Sequence, residues 1–127
     1  MTDMPMRRFI LSIPLVLLTT LPGAARTSPA SFDGPWSVVI ITVAGTCDRS
    51  YRYGLQIVGG RVVYDGSSGV ALSGQVDGSG RVVVSLRSGE SAANGSGRLS
   101  GSAGYGSWQG VSGNSRCSGR WQAQRRG

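Results

Sequence analysis

From Trp36 to Gln124 the chain alternates in side-chain character at every second position, and Gly-, Ser- or Asp-rich segments break the alternation at short intervals. A period of two is the signature of extended strands with one face in and one face out. Eight runs read as strands: Trp36 to Val43, which is β-branched and apolar on both faces, and then the alternating runs Tyr51 to Ile57, Arg61 to Tyr64, Val70 to Val76, Arg81 to Arg87, Ser91 to Ser100, Gly106 to Val111 and Arg116 to Gln124. The connections are nearly all of hairpin length, and no segment beyond the N-terminus has a helical period. Short connections place sequential strands side by side and antiparallel. An eight-stranded meander left open has two bare edges, and closure removes both. The expected fold is therefore all-β: an antiparallel up-and-down meander forming a closed or nearly closed small barrel.

The first 25 residues have a different character. Arg7 and Arg8 precede an apolar run from Phe9 to Leu21, and Pro22-Gly23-Ala24-Ala25 supplies small residues where an export signal is cleaved. The run is 13 residues long, interrupted by Ser12, Pro14, Thr19 and Thr20, and too short for a membrane span, which needs about 20. The expected organisation is a signal peptide over 1–25, a flexible leader over 26–32 and a single domain over 33–127. The expected location is the periplasm or exterior of a bacterium.

An exported chain with two cysteines is expected to join them, which here means Cys47 and Cys117. Strand parity makes this a test of the fold. In an even-stranded barrel the first and last strands meet antiparallel, so the end of one lies beside the start of the other. Cys47 follows the first strand and Cys117 opens the last. An odd strand count would set them at opposite ends.

Beyond Ala25, Gly and Ser together make up 38 of 102 residues, a level common in disordered chains. The alternation argues against disorder here. Inward-phase glycines, Gly95, Gly97, Gly106 and Gly119 among them, read as positions for strong coiling and close backbone approach in a narrow barrel. The inward set includes Tyr51, Tyr53, Leu55, Ile57, Val62, Tyr64, Leu72, Val84, Leu86, Trp108 and Trp121. That is enough to fill eight strands, so a packed interior is expected. The tyrosine hydroxyls leave a small-molecule cup as the alternative.

Gly34-Pro35-Trp36 resembles the Gly-x-Trp that opens the first strand of lipocalins, avidins and some periplasmic protease inhibitors. That resemblance implies a small barrel with Trp36 plugging one end beneath an arginine of the last strand, here Arg125. A wider pattern is similar to small exported proteins of alphaproteobacteria. It comprises Phe32-Asp33-Gly34-Pro35-Trp36, Gly45-Thr46-Cys47-Asp48-Arg49, Tyr51-Arg52-Tyr53 and Cys117-Ser118-Gly119-Arg120-Trp121. It brings no activity and no catalytic residues.

The chemistry available is narrow. All 13 basic residues are Arg, the net charge is +7 and there is no His. No imidazole base, imidazole metal ligand or Ser-His-Asp triad is possible, and two cysteines cannot make a four-ligand zinc site. Asp65 and Asp77 precede glycines in turns, where Asp serves the backbone. The Asp-Gly-Ser loops lack the carboxylates of a calcium site. No enzyme, metal or cofactor is expected. Guanidiniums pair in bidentate fashion with carboxylates, phosphates and sulfates, and Arg49, Arg52, Arg61, Arg81, Arg87, Arg116 and Arg120 fall on outward phases or strand ends. They form a candidate surface for a protein or an anionic envelope polymer, with nucleic acid disfavoured by the lack of stacking motifs. Val39 and Ile41 form a candidate apolar patch opposite Trp36, Val38 and Ile40. The leading expectation is an exported, non-enzymatic binding module, one form being an inhibitor of an exported hydrolase. The alternatives are a lipocalin-like carrier and a structural or adhesive surface protein.

Overall fold

The computed structural model describes residues 14–15, 29–66 and 69–127. Apart from residues 14 and 15, the expected signal peptide lies outside the described residues, as do positions 26–28 of the expected leader. Eight antiparallel strands close into a barrel in chain order. They are β1 (Gly34–Ala44), β2 (Ser50–Val58), β3 (Arg61–Tyr64), β4 (Ala71–Val76), β5 (Arg81–Ser88), β6 (Ser91–Ser100), β7 (Ala103–Ser112) and β8 (Ser115–Arg125). β1 pairs with β2 along one edge and with β8 along the other, so no strand edge is left open.

Turn chemistry sets the register. Val58 pairs with Arg61 across Gly59-Gly60, and both glycines take positive φ, 58° and 78°. Such a turn matches the right-handed twist of the flanking strands and excludes most side chains. The carboxylate of Asp33 accepts hydrogen bonds from the N–H groups of Gly59 (2.8 Å) and Gly60 (3.2 Å), which ties this turn to the entrance of β1. The sequence expectation of a long turn over Gly101 to Tyr105 is corrected. Gly101 and Ser102 alone reverse the chain, so β7 begins at Ala103 and Tyr105 pairs with Arg98.

The leader is also shorter than the sequence suggests. Pro29–Phe32 form a 3-10 turn, and Phe32 is buried against the barrel. An aromatic ring at the strand entrance buries more apolar surface by folding back than by trailing in water.

Cys47 and Cys117 form a disulfide with Cα atoms 6.1 Å apart. It clips the β1–β8 seam where β1 has a bulge between Thr42 and Ala44. The even strand count and the position of the bridge agree, as strand parity requires.

Candidate functional site

The two ends of the barrel differ. At the end where β1 begins, Phe32, Trp36, Ile57, Val62, Val76, Val82, Leu99 and Ala123 are all buried. Trp36 is 1% exposed and forms the floor. Its indole N–H donates to the Phe32 carbonyl at 2.8 Å. The Arg125 guanidinium lies 4.8 Å from the centre of the Trp36 ring. Arg125 also donates to the carbonyls of Asp33 (2.6 Å) and Ser31 (2.8 Å). A delocalised cation on an aromatic face gains from the ring quadrupole, and the two carbonyls satisfy its fork.

Above that floor the interior is hollow. Val38, Ile40, Leu55, Leu72, Val84 and Trp108 point inward yet are only half-buried. They line a cavity of about 340 Å³ that runs from Trp36 to the rim residues Ser88, Ser91 and Ser112. The expectation of a filled interior is therefore corrected. The reason lies in how the tryptophans sit. Trp121 on β8 faces Gly106 on β7, which in turn faces Gly97 on β6. A Cβ at Gly106 would strike the Ser96 carbonyl and come within 2.5 Å of the Trp121 ring. The indole thus lies along the wall over a lane of glycines, and its N–H donates to the Ser96 carbonyl at 3.0 Å. Trp108 lies over Gly119 in the same manner and donates to the Ile41 carbonyl at 3.1 Å. Rings laid against the wall leave the centre open.

No charged side chain lines the cavity. Its polar side chains are the rim serines, Asn94 and three tyrosines. Tyr51 stacks on Tyr53 with ring centres 6.3 Å apart, and Tyr64 meets Tyr53 edge-on at 5.9 Å. Burial, chiefly, and then the neighbouring Tyr51 and Tyr64 hydroxyls push the Tyr53 hydroxyl above its ordinary range, so it stays protonated at neutral pH. The Tyr51 hydroxyl accepts from the Asp48 N–H at 3.2 Å and retains its own proton to donate. The disulfide loop therefore rests on a cavity-lining tyrosine, and Cys47 itself lines the cavity. Among the described residues, no three His, Cys, Asp or Glu side chains gather in a metal-binding group.

The alternation expected for β2 to β5 matches the lining. Val38 and Ile40 were not assigned inward from the sequence, because β1 is apolar on both faces. The floor position of Trp36 settles that phase. Val39 and Ile41 occupy the outer face, but they are half-buried rather than exposed. Val39 sits between Arg52 and Gln122, and Ile41 between Ser50 and Arg120. Long polar side chains cover apolar neighbours with their stems. The expected open apolar row is corrected accordingly, and the exposed valine of this strand is Val43, at 69%.

The seven arginines of the candidate surface are all exposed, but they do not share one patch. Arg49, Arg52, Arg116 and Arg120 lie around β8, β1 and β2, whereas Arg61, Arg81 and Arg87 lie on β3 and β5. The ion pair among the described residues is Arg126 with Asp65 at 3.8 Å, so none of these seven forms one there. No protein family, curated protein or solved structure matches this chain.

Proposed function

We propose that the protein is an exported, non-enzymatic binding cup for one small, neutral, largely apolar molecule. The observation that carries this reading is the division of the barrel into a sealed half at Trp36 and a hollow, uncharged half above it. A volume of about 340 Å³ suits a compact ligand, since such pockets start at roughly 300 Å³. Aliphatic and aromatic walls supply the affinity through burial. The rim serines and tyrosine hydroxyls supply orientation through a carbonyl or hydroxyl on the ligand. The absence of charge in the lining argues against free fatty acids and other anions, whose desolvation would go uncompensated. Export is supported by the disulfide and by the N-terminal sequence.

The test is a fluorescence titration of the oxidised protein with N-phenyl-1-naphthylamine, a neutral apolar probe, followed by displacement with a series of linear alcohols. Binding should enhance probe emission and quench Trp108. Val84→Phe and Leu72→Phe, which fill the cavity, should abolish it while circular dichroism and Tm are maintained. Probe binding that survives both substitutions, or no binding at all, would overturn the reading.

A further inference from the structure

Following the pairing register around the outside of the barrel brings together residues that are far apart in the chain. Arg81 on β5 faces Arg98 on β6, Arg98 faces Tyr105 on β7, and Tyr105 faces Gln122 on β8. Gln122 faces Val39 on β1, which faces Arg52 on β2. One row of cross-strand neighbours therefore runs across six strands. Arg81, Arg98, Tyr105, Gln122 and Arg52 are all exposed, Tyr105 at 73%. Arg120 stands in the adjoining row, facing Ser107 and Ile41. The row contains no acid. Asp77 lies at its end, beyond Arg81, but its carboxylate is engaged by the Ser79 hydroxyl and by the N–H groups of Ser79 and Arg81.

Two features of the row favour a bound anion. Arg81 and Arg98 are directly opposed like charges, an arrangement that destabilises a sheet unless something neutralises it. Asp77 offsets part of the Arg81 charge through space, but among the described residues neither guanidinium forms an ion pair with a carboxylate. Beside them stands a phenol ring that is 73% exposed, followed by the exposed amide of Gln122. Successive positions in the row are about 4.8 Å apart, the strand spacing, so charges and ring present themselves at regular steps.

We propose that this row is a binding strip for an acidic polysaccharide. The carboxylates of such a chain would pair with Arg81 and Arg98, one sugar face would pack on Tyr105, and Gln122 would bond hydroxyl groups. Arg52 and Arg120 would hold the continuing chain. The strip curves around a convex wall, which a flexible linear polymer follows and a flat bilayer does not. A single exposed ring falls short of the successive stacking platforms that single-stranded nucleic acid uses. The strip is on the outside of the wall and independent of the cavity.

The test is retention of the oxidised protein on immobilised polygalacturonate, with neutral dextran as the blank and salt raised in steps. Polygalacturonate should retain the protein at physiological ionic strength. Arg81→Gln with Arg98→Gln should weaken binding about tenfold, and Tyr105→Ala should weaken it several-fold. The off-strip pair Arg61→Gln with Arg87→Gln, which removes the same charge, should change it less than about twofold. The strip substitutions relieve a like-charge contact, so their Tm should hold or rise. Val84→Phe should bind polygalacturonate unchanged, which separates this result from the fate of the cup. Equal losses in the strip and off-strip pairs would reduce the effect to diffuse charge and overturn the proposal. So would an absence of retention at physiological salt, or tighter strip-dependent binding to phosphatidylglycerol vesicles or duplex DNA.

Discussion

Gly106 shows how much one missing methyl group decides. It and Gly97 are the shelf on which the Trp121 indole lies, and any Cβ there strikes main chain or ring. Gly106→Ala should destabilise the protein by about 1–3 kcal/mol, the usual cost of overpacking. The denaturant midpoint measures this, and a change in the near-ultraviolet dichroism of Trp121 should accompany it. Arg125 holds the floor through Trp36 and two carbonyls. Arg125→Met keeps the stem and removes the fork, so it should cost about 2 kcal/mol and loosen the turn that carries Phe32. Asp77 acts through the backbone instead. The Ser79 hydroxyl, followed by the Arg81 N–H, holds its carboxyl below the ordinary 3.8. A lowered folded-state pKa stabilises the fold above the unfolded-state value, and that contribution is lost as pH falls through the folded-state value. Asp77→Asn should therefore flatten the acid limb of a stability-against-pH curve below about pH 4 and leave the neutral region nearly level in slope.

At the scale of elements, the β1–β8 seam is the part most exposed to failure. It joins the first strand to the last, so it closes only after the rest of the sheet is laid out. The disulfide spans a sequence separation of 70 residues across this seam. Chain-entropy arguments give about 4 kcal/mol for a loop of that size. Cys47→Ser with Cys117→Ser should lower the unfolding free energy by an amount of that order. Amide exchange should rise first at the bulge and in the 45–49 loop, because that loop rests on Tyr51 and the bridge. The hairpins β5–β6, β6–β7 and β7–β8 join through two-residue turns and have local partners throughout. They should retain their protection in the same experiment.

As a whole the molecule is a cup, with apolar burial concentrated near the floor and space left toward the rim. A barrel of eight strands can be filled or hold one small ligand, and here the tryptophans laid against the wall leave it open. The rim is crossed by the 45–49 loop and short turns, with no helix among the described residues to cap it. Ligand entry should therefore be fast and insensitive to large conformational change. Stopped-flow mixing with N-phenyl-1-naphthylamine should give a single phase whose rate is linear in probe concentration. Saturation of that rate would indicate a slow opening step instead.

The period-two pattern, the Gly-centred turns and the parity of the two cysteines determined the barrel, its strand order and its disulfide. These are local or topological properties, and a linear sequence carries them in full. Inward phase was also legible for β2 to β5, where polar residues alternate with apolar ones. For β1, where both faces are apolar, the outward placing of Val39 and Ile41 rested on Trp36 alone, and the sequence did not show that Arg52, Gln122 and Arg120 stand beside them. The state of the interior was beyond the sequence for a related reason. A list of inward residues gives their volume but not their direction. Whether Trp108 and Trp121 project into the lumen or lie along its wall depends on which glycines stand opposite them on the neighbouring strands. The same holds for the outer strip, since Arg81, Arg98, Tyr105 and Arg52 become neighbours only through register. Periodicity is written along the chain, whereas adjacency across strands exists only once the sheet has closed.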